Sequence, residues 1–67
     1  DEYRHTVSGI IRSLPEQQRT VFVLHRLQGL SHKQIADRLH LSEQTTRNLL
    51  SLALKEIRQQ LQNRIQP

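Results

Sequence analysis

Apolar residues along this chain recur at steps of three and four, the period of a helix with one buried face. In the first segment the recurring positions are Tyr3, Val7, Ile10, Ile11 and Leu14. Pro15 ends this pattern and suits the first position of a new helix, where its missing N–H costs nothing. The pattern therefore predicts one helix over about residues 2–13 and a second from Pro15 to about Gln28.

Two further helices are predicted after a glycine. Gly29 suits the position that follows a helix end, because glycine adopts a positive φ at little cost. Ser31 and Gln34 have the spacing of a capping box, which predicts the start of a short third helix. After the link "HLS", Ser42 suits the N-cap of a fourth helix, whose pattern continues without a breaker to about Arg64.

The fourth helix has two distinct faces when its residues are placed at steps of about 100°. Its apolar stripe comprises Thr46, Leu50, Ala53, Leu54, Ile57 and Leu61, and the inner face of the third helix comprises Ile35, Ala36 and Leu39. Polar residues cover the other side of the fourth helix: Gln44, Arg47, Asn48, Ser51 and Lys55. Leu49 lies at the edge of the stripe, and Leu52 lies well outside it.

These elements predict an all-α fold, a small four-helix domain with a helix-turn-helix over about residues 31–58. A chain of 67 residues can form one domain with a thin core, and residues 1–67 are expected to do so. Because the first residue is Asp1 and not Met, we expect a fragment of a longer chain.

Charge and composition narrow the choice of function. Ten Lys and Arg against six Asp and Glu give a formal charge of +4, which suits either a nucleic-acid partner or simple solubility. The chain has no cysteine, and its histidines show no cluster at metal-ligand spacing: His5, His25, His32 and His40. It also lacks a glycine-rich phosphate loop and an apolar run of the ~20 residues that a membrane span needs. We therefore expect no enzyme activity, no cofactor and no membrane association.

The short link between the third and fourth helices forces a steep crossing, as in a helix-turn-helix. Such a pair can place the leading turns of its second helix in a DNA major groove about 12 Å wide. There Arg47 can pair with guanine, Gln44 and Asn48 with adenine, and Glu43 can accept from cytosine. Residues placed to reach phosphates are His32, Lys33, Arg38, Ser42, Thr45 and Lys55. The alternative is that these residues form only the solvated face of an amphipathic helix.

The stretch from Leu14 to Leu61 carries a resemblance that covers most of the chain. Its features are "LP" before the second helix, "QGLSHKQIA" before and along the third, "LS..T.R" at the next cap, and "ALKEIR" in the tail. Together they resemble the promoter-recognition domain, region four, of bacterial sigma factors, especially the extracytoplasmic-function group. The output domain of LuxR-type response regulators shares the middle motif, but the "LP" start and the long tail favour the sigma family.

This resemblance implies a cytoplasmic protein that binds double-stranded promoter DNA at the minus-35 element and docks on the beta-subunit flap of the RNA polymerase core. Carried over by position, Glu43, Gln44, Thr45, Arg47 and Asn48 would face the bases or adjacent phosphates, with Lys33 near the backbone. Together with polar residues that the helical spacing offers, the expected DNA-binding set is Lys33, Ser42, Glu43, Gln44, Thr45, Arg47, Asn48, Ser51 and Lys55. The apolar face of the first two helices would supply both the core and the polymerase-facing surface, through Ile10, Ile11, Val21, Phe22 and Leu24.

The chain departs from the family pattern at four positions. Family members often have glycine where His40 stands, Val or Ile where Thr46 stands, and basic residues where Leu49 and Leu52 stand. Each missing cation removes one phosphate contact, so we expect weak DNA binding, in the range of non-specific affinities. Leu49 and Leu52 could instead bind an anti-sigma factor or support weak self-association. A module that only binds other proteins through this leucine-rich helix is the remaining alternative.

Overall fold

The computed structural model describes the backbone of residues 2–65 and the side chains of residues 6–63. Four α-helices lie along this part of the chain: α1, Glu2–Ser13; α2, Glu16–Phe22; α3, His32–Leu39; and α4, Glu43–Ile65. A π-helical segment, Val23–Leu27, continues α2. The predicted all-α fold is confirmed, whereas the predicted place of Tyr3 on the buried face lies outside the described side chains.

The second helix differs from its prediction at both ends. Pro15 is the N-cap and not the first helical residue, since its ψ of 147° is extended, and α2 begins at Glu16. At the other end the last turn is wider than an α-helical turn, because Gln28 N donates to Val23 O, five residues back, at 3.1 Å. The chain then leaves the helix at Gly29, whose φ of 74° is the predicted positive value.

Two apolar clusters pack against α4. The first joins α1 to the C-terminal half of α4 through the buried residues Ile10, Leu14, Ala53 and Ile57. The second joins α2, the π segment and α3 to the N-terminal half of α4 through Val21, Leu24, Ile35 and Leu50. Phe22 is half-buried and contacts both clusters. The long fourth helix therefore links the helix-turn-helix end of the molecule to α1.

Polar contacts fix the junctions between the helices. Ser31 and Gln34 form the predicted capping box, with Gln34 N donating to Ser31 Oγ at 3.1 Å and Ser31 N donating to Gln34 Oε1 at 2.8 Å. Arg19 Nη1 donates to Arg12 O at 3.0 Å, so a side chain of α2 satisfies a carbonyl at the end of α1. These contacts join α2 to the end of α1 and fix the start of α3.

Candidate nucleic-acid interface

The turn between α3 and α4 is closed by backbone hydrogen bonds. His40 takes the left-handed conformation, with φ 58° and ψ 43°, and Leu41 N donates to Ala36 O at 2.9 Å. Ser42 Oγ then accepts from Thr45 N at 3.0 Å, which is the predicted N-cap bond of α4. The three-residue link thus turns the chain sharply and starts α4 immediately afterwards.

Thr46 anchors the first turn of α4 to the interior. Its side chain is fully buried, and its hydroxyl donates to Ser42 O at 3.0 Å. The hydroxyl that replaces a methyl at this position therefore has a hydrogen-bond partner, as a buried polar group requires. Because Thr46 faces inward, the residues on the opposite side of the same turns face outward.

The candidate residues of α4 form one exposed face. Exposed side chains occur at Glu43, Gln44, Thr45, Arg47, Asn48, Ser51 and Lys55, and Ser42 at the cap is exposed too. On α3, Lys33 and Arg38 are exposed, whereas His32 is half-buried. Four of these exposed residues are cations, so the outer surface of α3 and α4 is suited to an anionic partner.

Hydrogen bonds between side chains connect the exposed residues in pairs. Arg47 Nη2 lies 3.2 Å from Glu43 Oε2, with the two side chains 53% and 44% exposed. Gln44 Nε2 donates to Asn48 Oδ1 at 3.0 Å, and Ser42 Oγ donates to Thr45 Oγ1 at 2.8 Å. Glu and Arg four residues apart commonly pair on a helix, so the spacing already carried a signal for the first pair.

The two histidines nearest the start of α3 contact each other. The rings of His25 and His32 stack with their centroids 4.9 Å apart and their planes 15° apart. His25 Nδ1 lies 3.0 Å from Leu30 O, and since a carbonyl only accepts, the ring donates there. His32, which the sequence offered as a phosphate contact, therefore packs on the π segment with one face of its ring.

The leucines at the margin of the stripe have different environments. Leu49 is half-buried and packs against the second cluster. Leu52 is 49% exposed, and Leu27, at the end of the π segment, is 68% exposed. Any contact of this margin with another protein would therefore involve Leu52 more than Leu49.

The described residues offer little for other chemistry. Among residues 6–63 no group of three or more His, Cys, Asp or Glu side chains could hold a metal ion. The described helices also include none that is both long enough and apolar enough to cross a membrane.

A short helix, a tight turn and a longer helix with polar leading turns define a small helix-turn-helix domain. The family model "Sigma-70, region 4" matches residues 4–57, and the chain belongs to this family. The predicted resemblance to sigma region four is therefore confirmed.

The relatives found are longer proteins. The chain is 34% identical over 61 residues to "RNA polymerase sigma factor SigF" of Mycobacterium tuberculosis, in both strain CDC 1551 / Oshkosh and strain ATCC 25618 / H37Rv. The match covers 91% of this chain and 23% of each relative, so the chain spans about a quarter of their length. A comparison with solved structures finds no significant match.

Proposed function

We propose that this chain is the promoter-recognition domain of a sigma factor and binds duplex DNA at the minus-35 element. The observation that carries the proposal is the exposed polar face on the first turns of α4, directly opposite the buried Thr46. Family membership supports the same function, and the relatives are named as RNA polymerase sigma factors. In this proposal the domain places the polymerase at promoters and carries out no catalytic step of its own. It acts in the cytoplasm.

Two kinds of contact make up the proposed interface. Arg47, Gln44 and their hydrogen-bonded partners lie on the leading turns, which enter the major groove and reach base edges. The phosphate contacts come from exposed residues of α3, of the cap and of the following turns of α4: Lys33, Ser42, Thr45, Ser51 and Lys55. Phosphate contacts position the protein without reading sequence. Loss of a base contact should therefore reduce sequence preference, whereas loss of a phosphate contact should weaken binding to all sequences.

The RNA polymerase core is the proposed protein partner. The family resemblance implies that five apolar residues of the first two helices supply both the core and the beta-flap surface. Three of them, Ile10, Val21 and Leu24, are buried, so they belong to the core. The half-buried residues Ile11 and Phe22 are the remaining candidates for the flap contact. An anti-sigma factor or a second copy of the chain at Leu52 remains a further proposal.

The experiment that tests DNA binding is fluorescence anisotropy with short duplexes of varied sequence at two salt concentrations. We expect binding that weakens as salt rises and that prefers one sequence. Arg47→Ala should reduce that preference by about 1–3 kcal/mol, because a bidentate contact to guanine is lost. Lys55→Ala is the matched cation control and should weaken binding to all sequences about equally, with a salt slope smaller by about one.

Two results would contradict this proposal. One is the absence of binding at low salt. The other is a sequence preference that Arg47→Ala leaves unchanged, because the base-reading surface would then lie elsewhere on the molecule.

A further inference from the structure

Two hydrogen-bonded side-chain pairs lie on the leading turns of α4: Glu43 with Arg47, and Gln44 with Asn48. We infer that Arg47 and Gln44 read a guanine and an adenine, while Glu43 and Asn48 are positioning residues that hold them. This inference rests on the proposed function and goes beyond it. It removes cytosine recognition from Glu43 and adenine recognition from Asn48, both of which the residue types alone allow.

In the first pair the carboxylate is hydrogen-bonded to the arginine through one of its two oxygens. Glu43 Oε2 accepts from Arg47 Nη2 at 3.2 Å, and this contact uses one of the five N–H donors of the guanidinium. The remaining donors can still form the two parallel bonds that guanine O6 and N7 accept. Glu43 lies roughly 100° around the helix from Gln44, whereas Arg47 lies roughly 60° away. The carboxylate is thus at the flank of the face, where it fixes the arginine.

In the second pair the hydrogen bond leaves Gln44 with the atoms that adenine needs and orients its side chain. Adenine needs an oxygen that accepts from N6–H and an N–H that donates to N7. Asn48 Oδ1 already accepts from Gln44 Nε2 at 3.0 Å. Gln44 keeps its oxygen and one N–H, which is the set that adenine requires. Asn48 keeps both N–H donors and one lone pair of Oδ1, but it lies four residues further along α4, and its bond restricts the rotation of the longer Gln44 side chain before DNA arrives.

The spacing of the two readers fits neighbouring base pairs. Gln44 and Arg47 are three residues apart, which places them about 4.5 Å apart along the axis of α4. Successive bases on one DNA strand are about 3.4 Å apart. Side chains at this spacing can therefore meet adjacent steps of the duplex, and the predicted element contains a guanine next to an adenine.

The first test uses a pool of duplexes with a short randomised window, selected on the native chain and sequenced. Glu43→Ala should lose the guanine preference, roughly tenfold in the native chain, to the level of Arg47→Ala. Average affinity over all sequences should not fall, since the change removes a negative charge that faces phosphates. The variant Glu43→Ala/Arg47→Ala should be no worse than Arg47→Ala, because the two residues act as one unit.

Two variants separate positioning from a general change of charge. Glu43→Gln keeps an oxygen that accepts from Arg47 and should retain most of the guanine preference. Asp37→Ala removes one exposed acid from α3 and should leave that preference unchanged. The inference is overturned if Glu43→Ala keeps the full guanine preference, or if it loses instead a preference at a base pair that Arg47→Ala leaves unchanged.

The second pair is tested in the same selection. Asn48→Ala should reduce the adenine preference as Gln44→Ala does. Asn48→Asp keeps an acceptor oxygen for Gln44, so it should retain the preference while its added charge weakens binding to every sequence. Gln62→Ala, an exposed amide near the far end of α4, is the matched control and should change neither quantity. An adenine preference that survives Gln44→Ala but not Asn48→Asp would overturn the inference.

The selection also distinguishes this inference from the proposed function. If the native chain enriches a sequence and the positioning variants leave its preferences intact, the division of work is wrong and DNA reading stands. If the native chain enriches no sequence and shows no salt-dependent binding, the proposed function fails, and the inference fails with it. Circular dichroism of each variant verifies that the helices remain folded.

Discussion

His40 shows how one residue sets the geometry of the helix-turn-helix. It ends α3 in the left-handed conformation, which costs an L residue about 1–2 kcal/mol and which glycine adopts freely. Gly29 takes the same kind of conformation at the preceding turn. The chain therefore has glycine at one turn and a strained histidine at the other, the position where family members often have glycine.

The strain at His40 gives a prediction for stability. His40→Gly should raise the free energy of unfolding by about 1 kcal/mol, because the left-handed strain is relieved. Urea denaturation measures this change. Arg38→Gly, an exposed position in the last turn of α3, is the control and should lower stability by about the same amount, as glycine does within a helix. A His40→Gly variant less stable than the native chain would show that the turn is not strained.

For Thr46 the sequence predicts the orientation of the side chain but not its hydrogen-bond partner. Its inward direction followed from the period of α4, and the structure confirms it. The bond from its hydroxyl to Ser42 O could not be deduced from the residue type, because a buried threonine can bond to several carbonyls of the preceding turn. Residue type and spacing therefore predicted that the side chain faces inward, but not which carbonyl oxygen accepts from its hydroxyl.

Elements that depend on local spacing were predicted well. The capping box, the Ser42 cap and the stripe of α4 each follow from residues three or four apart. The π segment was not predicted, because its five-residue hydrogen bonds use the same apolar positions as an α-helix. The stack of His25 on His32 joins two elements, so its geometry depends on how the chain leaves the π segment at Gly29. A contact between residues of two different elements can be predicted only when the relative position of those elements is known.

The capping box provides a test at the level of the element. Ser31→Ala should lower the free energy of unfolding by about 1 kcal/mol, since the backbone N–H of Gln34 loses its partner. Gln34→Ala should also be destabilising, and the double variant should cost less than the sum, because both residues serve one box. Urea denaturation of the three variants measures this. Additive effects would contradict the reciprocal box seen at the start of α3.

At the scale of the whole molecule, α4 connects two apolar clusters and presents a polar face to solvent. This arrangement explains why α3 and α4 are separate helices: a turn between them directs the leading residues of α4 outward while Thr46 and Leu50 stay buried. Leu52, 49% exposed at the margin of that face, is the feature that the DNA-binding account does not use. The proposed contact with an anti-sigma factor or a second copy of the chain would involve this residue.

A ¹⁵N chemical-shift titration of the chain with a short duplex at low salt locates the DNA-binding surface residue by residue. We expect the largest shifts at Glu43, Gln44, Arg47 and Asn48, smaller shifts at Lys33, and little change in α1. Shifts with DNA that leave Glu43, Gln44, Arg47 and Asn48 unchanged and centre on another surface would contradict DNA binding by this face of α4, because the base-reading residues would then lie elsewhere on the molecule.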